Sequence, residues 1–421
     1  MSASPILLLD GGTGHLLKQQ RNLRIDGLPY DQQFLAGAVA NAEQPAAVEC
    51  AHGSYARAGA DVLTANSFAA APRALRLLPA DLRARLWRRL VLERGRAEED
   101  ARDAESDLAL AAALAGEAAA AARRAANAAA AADNHHRPRV AGSLPPLGEC
   151  CYARPGSTPP PPRAEAARQY LALARAMRQA AGGADLLLLA ETLPTSDEAL
   201  AALDAAAALS REEEVQEAGR PPCEVWVSFT VRDEGEGASP PRLRGGEALE
   251  PAVRRVLAHP AAAAAPGRPR RLLGAVLVNC CAPAAATAAL PVLRACCGGA
   301  SGAALRYGAY ANGFSGTTSE WLLQDAGVDV LGLERATRWA ETYHRGRAED
   351  FAAEDEAEAE RGGGAADARA RPITPEAYSR HAAAWLRMGA TVVGGCCGVG
   401  PRHISRLRRE IDDRRARREE G

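Results

Sequence analysis

The stretch Leu273-Gly274-Ala275-Val276-Leu277-Val278-Asn279-Cys280-Cys281 divides into two parts. Its first six residues make an almost wholly apolar run of strand length, which suits a parallel strand covered on both faces. Its last three, polar or thiol-bearing, fall where such a strand stops. Similar short runs recur at 6–10, 61–65, 139–143, 185–190, 224–229, 305–310 and 390–394. Helical windows separate them, at 45–58, 164–181, 195–209, 247–259, 283–294 and 375–388. Thr374 before Pro375 reads as a helix N-cap followed by proline in the first turn. Eight strands alternating with helices predict an α/β protein, a (β/α)8 TIM barrel rather than a doubly wound sheet.

At about 150 residues per domain, a chain of 421 residues suggests two or three domains, but one barrel uses most of such a length. We therefore read 1–421 as a single barrel domain with low-complexity insertions at about 98–137 and 346–372. The first is Ala/Arg/Glu-rich and extends the helical layer after the second strand. The second is acidic, then glycine-rich, and is expected to be disordered. Residues 159–162 form a stiff proline run, and 232–245 a Gly/Pro/Arg-rich loop.

Composition excludes several classes. The net charge is −1, so nothing favours nucleic acid or an anionic membrane as partner. Aromatic residues are 4% of the chain, so the core is built from Leu, Val and Ala. Lys18 is the only lysine, which excludes a Walker A loop and leaves one candidate for Schiff-base chemistry. The apolar residues 6–9 are too few for a signal-peptide core, and no run reaches the roughly 18 residues of a membrane span, so a cytoplasmic protein is expected. There are 10 cysteines and no C-x-x-C, which excludes thioredoxin-like motifs and zinc ribbons. Disulfides are not expected in a reducing compartment.

Active sites of such barrels lie at the C-terminal ends of the strands. The sixth strand ends in Asn279-Cys280-Cys281 and the eighth in Gly394-Gly395-Cys396-Cys397-Gly398. One thiol from the first and two from the second can converge on one ion. Thiolates are soft ligands that favour zinc, and three protein ligands leave the open position of a catalytic site. The competing reading is small buried residues filling the barrel end. Other candidates are weaker. Gly12-Thr13-Gly14 is no dinucleotide fingerprint, because Leu17 stands where the last glycine belongs. His135-His136 lies in a polar linker. His403 caps or packs the last helix rather than ligating. Cys150-Cys151 and Cys296-Cys297 are incidental. Asn66 and Asn312, at strand ends, are candidates to orient substrate or metal ligands.

These residues together resemble the zinc-dependent homocysteine S-methyltransferases. Val278-Asn279-Cys280-Cys281, followed by Gly394-Gly395-Cys396-Cys397-Gly398, carries most of the likeness. It extends in order through 9–14 (Leu-Asp-Gly-Gly-Thr-Gly), 58–68, 141–147, Glu191-Thr192-Leu193-Pro194, 227–230 and Tyr310-Ala311-Asn312-Gly313, where Ala311 replaces the family's proline. The resemblance implies Zn²⁺ held by Cys280, Cys396 and Cys397, with Cys281 a packing or supporting residue. It implies homocysteine contacts at Asp10, Gly11 and Glu191. Glu191 suits an ammonium, and backbone amides near Gly11 and Gly12 suit a carboxylate. Glu191 also fits a solvated loop carboxylate or a structural ion pair, and Asp10 a helix N-cap. The implied reaction is methyl transfer from S-methylmethionine or S-adenosylmethionine to homocysteine, giving methionine. Betaine or another donor, another thiol or selenol acceptor, and a non-catalytic zinc-binding barrel stay open as alternatives. The expected partners are these small molecules, with no nucleic acid and no membrane; a homo-oligomer is allowed but not specified.

Overall fold

The computed structural model describes residues 5–19, 25, 35–90, 104–132, 137–148, 159–182, 185–216, 221–233, 240–263, 271–298, 305–315 and 372–419. Eight parallel strands form one sheet: β1 (Leu7–Leu8), β2 (Val62–Thr64), β3 (Arg139–Leu144), β4 (Leu187–Leu193), β5 (Val225–Phe229), β6 (Leu273–Asn279), β7 (Arg306–Tyr310) and β8 (Val392–Val393). Their order is β1-β8-β7-β6-β5-β4-β3-β2. The two edges meet through a parallel bridge between Leu9 and Val62. There the Asp61 N–H donates to the Leu8 carbonyl at 2.7 Å and the Asp10 N–H to the Val62 carbonyl at 3.1 Å. The result is the (β/α)8 barrel that the alternation predicts, with a strand at each of the eight runs.

The described helices are α1 (Thr13–Gln19), α2 (Ala36–Glu43), α3 (Pro45–Arg57), α4 (Pro72–Leu75), α5 (Ala80–Leu90), α6 (Ala104–Ala132), α7 (Arg163–Ala180), α8 (Ser196–Gln216), α9 (Leu249–Leu257), α10 (Pro283–Cys297), α11 (Pro375–Arg387) and α12 (Pro401–Glu419). Thr374 caps α11, its hydroxyl accepting the Ala377 N–H at 3.2 Å. Much of the 98–137 stretch is the single helix α6, which packs against α2, α3 and α7. Ala118, Ala119, Ala121, Ala122, Ala125 and Ala126 are buried there, so α6 is part of the wall over β2 and β3. Of 346–372, only Pro372 lies among the described residues; it bridges to Phe314.

Strand alternation sorts the side chains. Leu186, Leu188, Ala190, Val225, Val227, Val276 and Val278 pack outward against the helices. Val62, Ala141, Leu187, Leu189, Trp226, Ala275, Leu277 and Val392 fill the barrel interior. Successive residues of a strand face opposite sides, so the next inward positions are Thr64, Ser143, Glu191, Ser228 and Asn279. A polar layer therefore caps an apolar one at the end of the barrel where active sites form. Burying such groups unbonded costs roughly 2–7 kcal/mol each, so their hydrogen bonds are obligatory.

Candidate active site

Cys280 directly follows β6, and Cys396 and Cys397 lie three and four residues past β8. Their sulfurs lie within 4.8 Å of one another. The end of β7 stitches the two segments together. The Asn312 N–H donates to the Cys281 carbonyl at 3.0 Å, the Gly313 N–H to the Cys397 carbonyl at 2.7 Å, and the Cys396 N–H to the Ala311 carbonyl at 2.8 Å. The Thr230 hydroxyl donates to the Cys280 carbonyl at 3.2 Å. Gly398 turns the second segment with φ of 76°, a left-handed conformation that favours glycine. A Cβ on Gly12 would lie 2.7 Å from the Cys396 carbonyl oxygen, so glycine lets the start of α1 approach the thiols. Cys280 itself has φ of 52°. For a residue with a side chain this costs of order 1–3 kcal/mol and persists only where the surroundings dictate it.

Hydrogen bonds with Cys280 and Cys397, together with burial, hold the Cys396 thiol well above the ordinary thiol range. Crowded thiols resist ionisation because each thiolate would face another. A divalent cation removes that penalty, and three converging soft donors fit a thiophilic metal. Cys281 is buried in the core between sheet and helices, as a packing residue.

The second feature is a pair of buried carboxyls. Glu191 accepts the Ser143 hydroxyl at 2.5 Å on one oxygen and the Tyr310 hydroxyl at 3.2 Å on the other. Burial pushes its carboxyl up to about 7 against these hydrogen bonds. Asp10 accepts the Thr64 N–H at 2.8 Å. Burial pushes its carboxyl up to about 8, and the charge of Glu191 adds to the rise. Asp10 thus braces β2 across the mouth instead of capping α1, which begins at Thr13. The Gly12 N–H is spent on the Val399 carbonyl at 3.0 Å, which removes it as a donor to a substrate carboxylate. No described basic side chain offsets the burial of either acid. Such a pair favours a cationic ligand.

A family model for homocysteine S-methyltransferase matches residues 7–411. The chain belongs to that family. Its fold is also that of the homocysteine methyltransferase MmuM from Escherichia coli. The metallated form is 22% identical over 97% of each chain, with a TM-score of 0.55. The oxidized form is 23% identical over 96% of each chain, with a TM-score of 0.53. Among curated protein sequences there is no match.

In this methyltransferase the remaining sequence candidates have other surroundings. The Asn66 amide donates to the Gly37 carbonyl at 2.7 Å and to Asn41 Oδ1 at 3.0 Å, and Asn41 returns a bond to the Asn66 carbonyl at 2.8 Å. It braces the end of β2 against α2. Asn312 is fully buried beside the cysteine segments. His403 is a buried cap: Nδ1 accepts the Gly400 N–H at 3.3 Å, and Nε2 then carries the proton donated to the Ile373 carbonyl at 2.8 Å. Cys297 is buried and Cys296 half-buried at the end of α10. His135, His136, Cys150 and Cys151 lie outside the described residues. No site role was read from the sequence for Ser143, Ser228, Tyr310 or Asn279. The signal for Ser143, Ser228 and Asn279 was strand alternation, which places each two residues beyond an interior apolar residue. Among the described residues, no helix is long and apolar enough to cross a membrane.

Proposed function

We propose that the protein transfers a methyl group from a methylsulfonium donor, S-methylmethionine or S-adenosylmethionine, to the thiol of L-homocysteine, giving methionine. The observation that carries this reading is the convergence of Cys280, Cys396 and Cys397 beside the Asp10–Glu191 carboxyl pair. Zn²⁺ is the metal we assign to the three thiols; when bound it supplies the positive charge that lets a coordinated thiol shed its proton near neutral pH. Glu191, oriented by Ser143 and Tyr310, receives the homocysteine ammonium, with the buried Asp10 carboxyl nearby. Gly11 takes a place beside the substrate carboxylate. Asn312 supports the cysteine segments, and Asn66 acts through the β2–α2 brace. In the transfer, the homocysteine sulfur forms a bond to the methyl carbon. The donor's carbon–sulfur bond breaks with its electron pair left on the donor sulfur, which becomes a neutral thioether. An acidic mouth favours this cationic donor by charge. Betaine is the second donor to test, because it too presents a methylated cation.

The experiment is metal quantitation on the purified protein, with methionine formation assayed separately for each donor. We expect about one zinc per chain and turnover with a methylsulfonium. Cys280→Ala, Cys396→Ala and Cys397→Ala should each lose both metal and activity. Stoichiometric zinc retained in all three variants would remove the assignment of the thiols.

A further inference from the structure

We infer that Asn279 is a positioning residue for the Cys396 sulfur, held in place by the backbone beside Glu191. The inference rests on the reading of the three thiols as a metal site. Asn279 is the last residue of β6, is completely buried and points into the polar layer of the barrel. Its amide makes four contacts. Oδ1 accepts the Thr192 N–H at 2.9 Å and the Ser228 hydroxyl at 2.7 Å. Nδ2 donates to Thr192 Oγ1 at 2.8 Å and towards Cys396 Sγ at 3.9 Å. A backbone N–H can only donate, so Thr192 fixes which end of the amide is oxygen. The N–H end is thereby turned to the sulfur.

The local backbone concentrates on the same point. Thr192 has φ of 60°, and Cys280, next to Asn279, has φ of 52°. They are the only non-glycine residues with positive φ among the described residues. The β4–β5 register also shifts between Ala190 and Leu193, the segment that carries Glu191. Two left-handed residues and a bulge thus surround one amide. A staple between β4 and β6 alone would need the Thr192 bonds but no donor facing sulfur. The fourth contact gives the amide a further role. An N–H aimed at sulfur orients it for a metal, so the amide links the thiol cluster to the Glu191 strand.

The test uses Co²⁺ as probe on the full-length protein, reading the sulfur-to-cobalt charge-transfer band and the affinity by chelator competition. Asn279→Asp preserves the shape and still accepts from Thr192 and Ser228, but it replaces the donor facing Cys396 with carboxylate oxygen. Loss of a group that bonds a metal ligand typically costs 10–100-fold in metal affinity. We expect Asn279→Asp to bind Co²⁺ about 10–100-fold more weakly, with a shifted band and an unchanged circular dichroism spectrum. Should this variant fail to fold, Asn279→Ser, uncharged and lacking the amide N–H, is read by the same two quantities. Thr192→Val removes one staple bond and leaves the Nδ2–sulfur contact, so it should keep the wild-type band. Wild-type affinity and an unmoved band in the Asn279 variant would overturn the inference while leaving the metal site standing. Failure of the wild-type protein itself to bind Co²⁺ through sulfur would instead overturn the metal-site reading, and this inference with it.

Discussion

Glu191 is held where its charge is costly until a cation arrives. Its folded carboxyl titrates near 7, against an ordinary value of 4.5. The folded state therefore binds the proton more tightly than the unfolded chain does. The resulting stability is fully present below about pH 4.5 and is lost as pH rises through about 7. By linkage this loss is on the order of 3 kcal/mol. Glu191→Gln should flatten the fall in Tm between pH 5 and 8 and leave the ligand-free protein more stable than wild type at pH 8. The same change should weaken homocysteine binding about 10- to 100-fold, the equivalent of one hydrogen bond to a charged group. Melting curves across pH and calorimetric titration check both; an unchanged pH slope would mean that Glu191 is not the group titrating. Glu191 was legible in the sequence because it stands just past a run of leucines. Its partners Ser143 and Tyr310 were not assigned, because their roles emerge only when β3, β4 and β7 are set in register, and register is a non-local property. Asn66 shows the converse. Its polar strand-end position was plain, but no sequence spacing reveals that α2 lies close enough to occupy its amide.

All eight strands were readable from short apolar runs because a parallel strand buried on both faces has no polar position until it ends. α6 was legible as a helical extension after the second strand, but its packing role was not. Its composition suggests low complexity, whereas its alanines form the contact surface towards α3 and α7. Alanine keeps the side-chain layer thin, and at Gly116 even a Cβ would come 3.4 Å from the Ala176 carbonyl oxygen, so the backbones of α6 and α7 lie close together. A larger side chain on that face has nowhere to go. Ala122→Leu should therefore destabilise by about 1–3 kcal/mol through overpacking. Ala128→Leu, on the exposed side of the same helix, should change stability by less than about 0.5 kcal/mol. Chemical denaturation of the two variants tests this, and equal stabilities would mean that α6 packs more loosely than its alanines indicate.

In the barrel as a whole, the shortest strands lie next to the chemistry. β1 and β8 contain two residues each, and the sheet closes between β1 and β2 through a single bridge. The loop after β8 brings Cys396 and Cys397 to Cys280 beyond β6, so one metal ion would join chain segments 116 residues apart. In the unfolded chain those thiols are scattered, so the ion binds the folded state preferentially and stabilises it by mass action. At a free metal concentration 100 times Kd the gain is about 2.7 kcal/mol. Chelation of the purified protein should lower Tm by a few degrees, and added Zn²⁺ should restore it. Cys397→Ser should melt at the chelated wild-type temperature whether or not metal is present, because two thiols no longer complete the ligand set. A chelator-dependent shift that persists in Cys397→Ser would place the stabilising ion elsewhere in the molecule. Identical wild-type melting with and without chelator would show that closure of the barrel depends on the Leu9–Val62 bridge and the helical layer alone.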